Sequence, residues 1–460
     1  MTDIVYADRP TPGHPRPYAF PSFRRDRLAN GLTVITVPLA GRPLVSATLV
    51  LRNGAVDEPA DTGGATVLAA RALSEGTESY DAIALVEASE RLGASRHAEA
   101  SWDSMSAGVE VPAERLEAAL ELLAEMVGRP TFPESEVDRL RDERLNDILQ
   151  ARADPRRRAE EAFVETIYTA ESPYHRPAAG QEPTVAPLDA AALRAAWSRG
   201  MDPASVALVV GGDLDGLDAP AMADRLFGSW TTSAGARPQG TILARPALDS
   251  RLVRVVHRPD SVQTEIRIGH PGLPRRIPDY HAVSVMTTIL GGLFNSRLNM
   301  NLREDKGYTY GAGAGFDLRR AAGPFAARAA VNTEVTVPAI REMLRELERM
   351  RDEPVTDAEL RASRDFLIGV FPLRFETPGP VVGSIAGLVV HDLPDDELAR
   401  YRAGIEAVGA DDVRTAARAH LHLERAGIVL VGDADLIVAD LEAADFGPLE
   451  VVRDEVPAPA

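Results

Sequence analysis

The chain contains no cysteine. Disulfides and thiolate metal sites are thereby excluded, and any metal bound here would take its ligands from His, Asp or Glu. The compartment is not fixed by this, because a chain of 460 residues can bury enough apolar surface to stay folded without cross-links. Lysine is nearly missing too: Lys306 is the only one, all other basic residues being arginine, a bias to which we attach no function. Positive charge is short overall. With 50 basic against 69 acidic residues the formal net charge is −19, which argues against nucleic acid as a partner, since phosphate-backbone affinity comes from Lys and Arg. Long apolar runs are also lacking, and no stretch approaches the ~18 consecutive apolar residues of a membrane span. Met1–Pro17 carries no apolar core of the secretory type, so the expected location is cytoplasmic, with no membrane partner.

What is present is an ordinary soluble composition, 45% hydrophobic and 26% charged, in a chain too long for one core. At about 100–200 residues per domain, two to four domains are expected. Internal duplication organises them. The segment SVALVVGGDLD at 205–215 recurs as GIVLVGDAD at 427–435, which places Asp213 and Asp433 at equivalent points. Both read as a buried strand running into a Gly-Asp turn. PESEVDRLRD at 133–142 is matched by PVTDAELRASRD at 354–365, each an acidic or Thr/Ser cap opening a helix. Strands over 32–37 and 47–52 are echoed over 252–257 and 264–269.

Two halves result, near 20–230 and 247–445, joined by a linker over 231–246 rich in Thr, Ser, Gly and Pro. Each half runs strand, strand, helix, helix, strand, strand, several helices and a closing strand. Helical periodicity is clear over 114–126, where Leu116, Ala119, Leu120 and Leu123 share a face, and over 339–350. The expected fold class is α+β: two homologous halves, each a mainly antiparallel sheet with helices packed on one face. The edges of such sheets can accept an extended peptide.

Four segments carry a family likeness: RLANGLTV at 27–34, RNGAVDEP at 52–59, the stretch 64–77, and LREDKGYTY at 302–310. Over nearly its whole length the chain resembles the pitrilysin/insulinase family of inverted zincins, the M16-type peptidases. It is most similar to bacterial members resembling the non-catalytic alpha subunit of mitochondrial processing peptidase. In active members the region matching 64–77 carries H-x-x-E-H on a helix, two His one turn apart binding zinc and a Glu activating water. Those positions fall here on Val67, Ala70 and Arg71, and the family's third ligand falls on Asp147, in a helix over 136–152. One carboxylate cannot hold a catalytic zinc, which needs about three protein ligands. No H-x-x-E-H occurs elsewhere, and His420 and His422 have i,i+2 spacing, which reads as a helix end and a turn.

The resemblance further implies an Arg and a Tyr seven positions apart as substrate-binding groups, a pattern that Arg303 and Tyr310 meet. At a junction between a helix ending near Leu302 and a strand over 308–316, both side chains are expected to face one cavity. The Arg offers a fork of donors to a peptide carbonyl, and the Tyr a hydroxyl to a developing oxyanion. The plainer alternative pairs Arg303 with Glu304 or Asp305 on the surface and packs Tyr310 in the sheet. In the place of the family's substrate-pairing edge strand stands GASRHAEASWD at 93–103, with His97 and Ala100 where Asn and Thr are usual. Gly291-Gly292 occupies the place of a longer glycine-rich loop and reads as a helix-ending turn.

The implied function is that of a zinc-less, substrate-binding subunit of a heterodimeric metallopeptidase acting on unfolded peptides or leader segments. Its partner would be a homologous chain bearing H-x-x-E-H and the zinc, this chain holding no metal or other cofactor and being inactive alone. A structural scaffold of the same fold, or a peptide-binding homodimer, is the reading from another class.

Overall fold

A computed structural model describes Gly13 and residues 16–41, 43–236 and 240–453. Residues 1–12, most of the stretch considered for a secretory signal, lie outside the described residues, as do 237–239 of the expected linker.

The first half builds a six-stranded sheet from β1 (Arg24–Arg27), β2 (Thr33–Pro38), β3 (Leu44–Leu51), β4 (Ser95–Ala100), β5 (Met105–Pro112) and β6 (Val206–Gly212). Its order is β1-β2-β6-β3-β5-β4. The second half builds another from β7 (Leu252–His257), β8 (Gln263–Pro271), β9 (Ala312–Phe316), β10 (Pro324–Asn332), β11 (Gly427–Gly432) and β12 (Leu449–Val452), in the order β12-β7-β11-β8-β10-β9. Five strands correspond one to one, β2-β6-β3-β5-β4 with β7-β11-β8-β10-β9. Pairing is mainly antiparallel, the exceptions being β2 with β6, and β7 with both β11 and β12. The repeated segments are β6 and β11, buried at every position. They are central strands covered on both faces, hence their continuous apolar character.

Seven helices position the two halves and the candidate site: α1 (Ala65–Ala72), α2 (Leu116–Gly128), α3 (Glu134–Ala153), α4 (Pro155–Ile167), α5 (Thr336–Asp352), α6 (Asp357–Val370) and α7 (Pro378–Val390). In α2, Leu116, Ala119, Leu120 and Leu123 are all buried, the apolar face expected from their spacing. The cap anticipated for α6 is a complete box: Glu359 N–H donates to Thr356 Oγ1 at 3.2 Å and Thr356 N–H to Glu359 Oε2 at 2.7 Å. At α3 the expected acidic cap is not formed. Pro133 holds the N-cap position without a side-chain bond, and its neighbours Glu134 and Glu136 lie within the first turn, where their charge favours the helix dipole. Among the described residues no helix is long and apolar enough to cross a membrane.

Helices cover the second face of each sheet as well, and there they come from the other half. α7 packs on β3 and β6, and α4 packs on β11 and β8. Ile35, Val37, Val50 and Val209 of the first sheet therefore share a core with Val381, Val382 and Ile385 of α7. Ala159, Phe163 and Ile167 of α4 share one with Val256, Val429 and Val431. Glycine makes the approach possible on both sides. A Cβ on Gly211 would come within 2.7 Å of Val382 Cγ2, and one on Gly269 within 2.9 Å of Phe163 Cζ.

A turn between β9 and β10 fastens the halves together. Arg320, almost buried, pairs with Asp57 at 2.9 Å and lies 3.6 Å from Asp103, while its backbone N–H donates to Asp103 at 2.9 Å. Arg319 pairs with Asp317 and lies over both Trp102 (4.5 Å) and Tyr174 (4.6 Å). Tyr168 donates its hydroxyl to Ala322 O at 2.7 Å. Arg320→Ala would leave two little-exposed carboxylates without their guanidinium, and we expect a loss of about 3–5 kcal/mol in urea unfolding. A change below about 1 kcal/mol would show that this fastening contributes little.

Candidate functional site

Arg303 and Tyr310 sit on either side of a loop in the second half. The chain turns from Arg297–Asn299 into a π-helical stretch, Met300–Asp305, a local widening of the helix frequent at functional sites. Leu302 plants this stretch in the core, fully buried. Gly307, at φ +66°, then turns the chain toward β9. Arg303 approaches Glu304 at 3.3 Å and lies 4.5 Å over the ring of Phe294. The surface ion pair of the plainer alternative is thus formed. Tyr310 is not packed in the sheet: it precedes β9, in the loop, and is 92% exposed.

Asn299 ties this region together. Its amide donates to Phe294 O at 2.6 Å, and its carbonyl accepts from Ala312 N–H at 3.2 Å. One buried side chain therefore fixes both the platform under Arg303 and the start of β9 beyond Tyr310. Five clefts elsewhere in the chain are separate from this loop: none of them is lined by Arg303 or Tyr310. Both face solvent.

The positions expected from the resemblance to match the family's metal ligands lie on α1 and α3. Val67 and Arg71 are one turn apart on the accessible side of α1, and Ala70 is fully buried. Val67 and Ala70 offer no donor atoms. Arg71 pairs with Glu143 of α3 at 2.7 Å, and Glu143 is shared with Arg139, whose guanidinium also reaches Glu136 and Glu75. Asp147 is held by Arg144 and, at 2.8 Å, by Arg157. Partial burial opposes its charge, but the hydrogen bond from Arg157 and the two guanidinium charges outweigh it and keep the carboxyl below its usual range. The residues present do not fit a zinc ion: a chain of guanidinium–carboxylate pairs runs where ligands would stand.

Glu58 is a structural anchor here that its place in RNGAVDEP did not reveal. Its carboxylate accepts from the N–H groups of Gly64 (3.0 Å) and Thr66 (2.6 Å) and pairs with Arg176 at 3.0 Å. It thus satisfies the N-terminus of α1 from outside the helix. Burial pushes its carboxyl up, against the pull of Arg176 and those two amides.

The two departures in β4 separate by face. Ala100 packs against the first half's core, whereas His97 lies on the opposite side, in a cleft. Gly291 does more than end a helix, because a Cβ there would come within 2.1 Å of Ala314 N, so the helix end rests directly on β9. His420 closes its helix and bonds Asp279 at 2.6 Å, and the N–H of His422 donates to His270 Nε2.

His257, Asp433 and Asp435 place one potential ligand atom each within 4.8 Å of one another. These atoms are already engaged in ending β11. Ala434 N–H donates to His257 Nδ1 and Asp435 N–H to Asp433, whose other oxygen takes Asp260 N–H, while Arg453 pairs with Asp435 at 2.6 Å. The repeated Gly-Asp turn is therefore a helix cap in this half.

Comparison with known proteins agrees with this architecture. Residues 33–180 match the family model described as insulinase (peptidase family M16), and residues 187–367 match the one described as peptidase M16 inactive domain. An uncharacterized zinc protease of Mycobacterium tuberculosis is 26% identical over 417 residues, 89% of this chain and 93% of that protein. The non-peptidase homolog YmxG of Helicobacter pylori is 23% identical over 343 residues, 73% of this chain and 76% of that protein. The crystal structure of a peptidase M16 inactive domain from Pseudomonas fluorescens superposes with a TM-score of 0.83 at 25% identity, covering 89% of this chain and 98% of that one. With two family models spanning both halves and a fold shared with a peptidase M16 inactive domain, the chain belongs to the peptidase M16 family as an inactive-type member.

Proposed function

We propose that this chain is the zinc-less, substrate-binding subunit of a heterodimeric zinc metallopeptidase acting on unfolded peptides or leader segments. The observation that carries the reading is an asymmetry between two surfaces. The metal helix is closed by the Arg71–Glu143 pair, whereas Tyr310 stands in solvent, with Arg303 partly exposed on its aromatic platform. A homologous partner bearing H-x-x-E-H would close over Arg303 and Tyr310, and its zinc would supply the activated water. This chain would hold the peptide: the Arg303 guanidinium donates to a substrate carbonyl, and the Tyr310 hydroxyl donates to the oxygen on which charge develops. The scaffold reading draws support from the relative described as a non-peptidase homolog.

In a mixture with the zinc-bearing homologue co-purified from the native host, Arg303→Ala or Tyr310→Phe should lower peptide turnover by about 100-fold, the size expected for one lost oxyanion donor. Unchanged turnover in both variants would favour the scaffold. The chain alone should contain no stoichiometric zinc by mass spectrometry. The triple replacement Val67→His, Ala70→Glu, Arg71→His should not restore zinc, because residue 70 is fully buried and a carboxylate there costs several kcal/mol, while Asp147 stays committed to Arg144 and Arg157. One tightly held zinc per chain in that variant would show the site to be more adaptable than its packing indicates.

A further inference from the structure

The central strand of the second sheet, β11, is tied at both ends to an imidazole lent by a neighbouring strand. Before it, the N–H of His422 donates to Nε2 of His270 on β8 at 3.0 Å, and after it the N–H of Ala434 donates to Nδ1 of His257 on β7 at 3.2 Å. Both bonds need a ring nitrogen with a free lone pair. The two ends differ in what surrounds the ring. Around His257 the carboxylates of Asp433 and Asp435 stand 3.8 and 3.9 Å from its nitrogens, so a proton there meets opposite charge. His270 is fully buried, and its ring makes no ion pair among the described residues. Its other nitrogen, Nδ1, lies 2.8 Å from Pro271 O, an acceptor that only an N–H can meet. The two bonds together fix one state of this ring: neutral, with its proton on Nδ1.

The segment held by this ring, 421–426, is the connector leading from the helix Ala410–His420 into β11. Leu421, Leu423 and Ala426 are all buried. Its other fastenings do not depend on an imidazole: Arg251 Nε donates to Leu423 O at 3.2 Å, and Leu252 N–H to Ala426 O at 3.3 Å. The charged and titratable groups acting on His270 sit on the connector itself. His422, its ring 5.2 Å away, and Arg425 oppose a proton, while Glu424 favours one. β10 presents the uncharged ring of Phe325 at 5.4 Å. Burial dominates and holds the imidazole down to about 4. A proton on Nε2 would leave two N–H groups facing each other, and a buried charge without a paired carboxylate.

We infer that His270 is an acid-sensitive latch, which holds the connector 421–426 down while neutral and releases it when a proton is taken up. The sign follows from the two states. A solvated imidazole takes its proton near about 6.5, whereas the latched ring does so only at about 4. The latch is in full force above about 6.5 and weakens as the pH falls through that window, because the opened state binds the proton that the closed one refuses. β11 carries Val429 and Val431 of the core shared with α4, so release loosens the seat of the exchanged helix. The corresponding junction of the first half, 200–206, leads into β6 and contains no histidine. Neither metal, partner nor peptide is needed for the release, which is therefore tested apart from the substrate-binding reading.

Hydrogen exchange of the full chain, read by mass spectrometry at pH 7 and pH 5 and corrected for the intrinsic rate at each pH, tests the latch. Opening of 421–426 should rise about 20-fold between the two, the ratio set by one group titrating near 6.5 when released and near 4 when latched. The junction 200–206 is the internal reference and should stay level. His270→Gln, whose amide oxygen can accept the His422 N–H without titrating, should lose the pH dependence. In the native chain isotope-labelled at histidine Cε1, the NMR signal of His270 should stay close to its neutral position down to pH 5. An equal rise in both segments, a pH dependence that persists in His270→Gln, or a His270 signal that titrates near pH 6.5 would overturn the latch. If His270→Gln does not fold, the titration of the native ring and the contrast between the two segments decide it.

Discussion

The exchange of α4 and α7 between the halves is the constraint on which the rest of the architecture depends. Each sheet buries one face against helices of its own half and the other against a helix lent by its counterpart. Burying a Val or Ile side chain contributes about 1.5–3 kcal/mol. Ile35, Val37, Val50 and Val209 against α7 thus supply a large part of the hydrophobic stabilisation of the first sheet's outer face. Neither half can keep both faces of its sheet dry without the other. The exchange also explains why the β9–β10 turn can carry two adjacent arginines into a poorly solvated junction: the helices already fix the spacing at which Arg320 meets Asp57 and Asp103.

Much of this was legible in the chain because the repeat is carried by its most buried strands. β6 and β11 read as continuous apolar runs since both faces are covered, and their glycines mark where an exchanged helix or a neighbouring strand comes close. The exchange itself was not legible. The periodicity of α7 announces an apolar helix, but nothing local says whose sheet receives it. β1 also escaped notice: Arg24–Arg27 is a short, charged edge strand with no apolar alternation, held by antiparallel pairing to β2. β12 escaped for the same reason, with Glu450 and Val451 exposed.

At the site, residue types could be read and their partners could not. Val67, Ala70 and Arg71 rule out ligation by chemistry alone. That Arg71 reaches Glu143, and Glu143 Arg139, depends on α1 and α3 lying side by side, a tertiary fact. Exposed ion pairs of this kind contribute about 0–1 kcal/mol each. The network therefore costs the fold little and contributes little to it, and its main consequence is that Glu143 and Asp147 are committed to guanidinium groups. The spacing of Arg303 and Tyr310 was likewise visible, whereas the platform of Phe294 and the brace of Asn299 required the π-helical turn to be seen.

Folding gives no account of the exposed side of that loop. Tyr310 at 92% exposure and Phe294 at 60% contribute almost nothing to the core, and of the two it is Phe294 that lies against the Arg303 guanidinium. The first half shows the reverse condition, with Arg71 paired to Glu143 and Asp147 held by Arg144 and Arg157. A surface whose charges are already paired has little to gain from a ligand. One whose aromatic and guanidinium groups face solvent gains from any partner that desolvates them together. The loop from Phe294 to Tyr310, rather than α1, is therefore where the proposed recognition of substrate is placed.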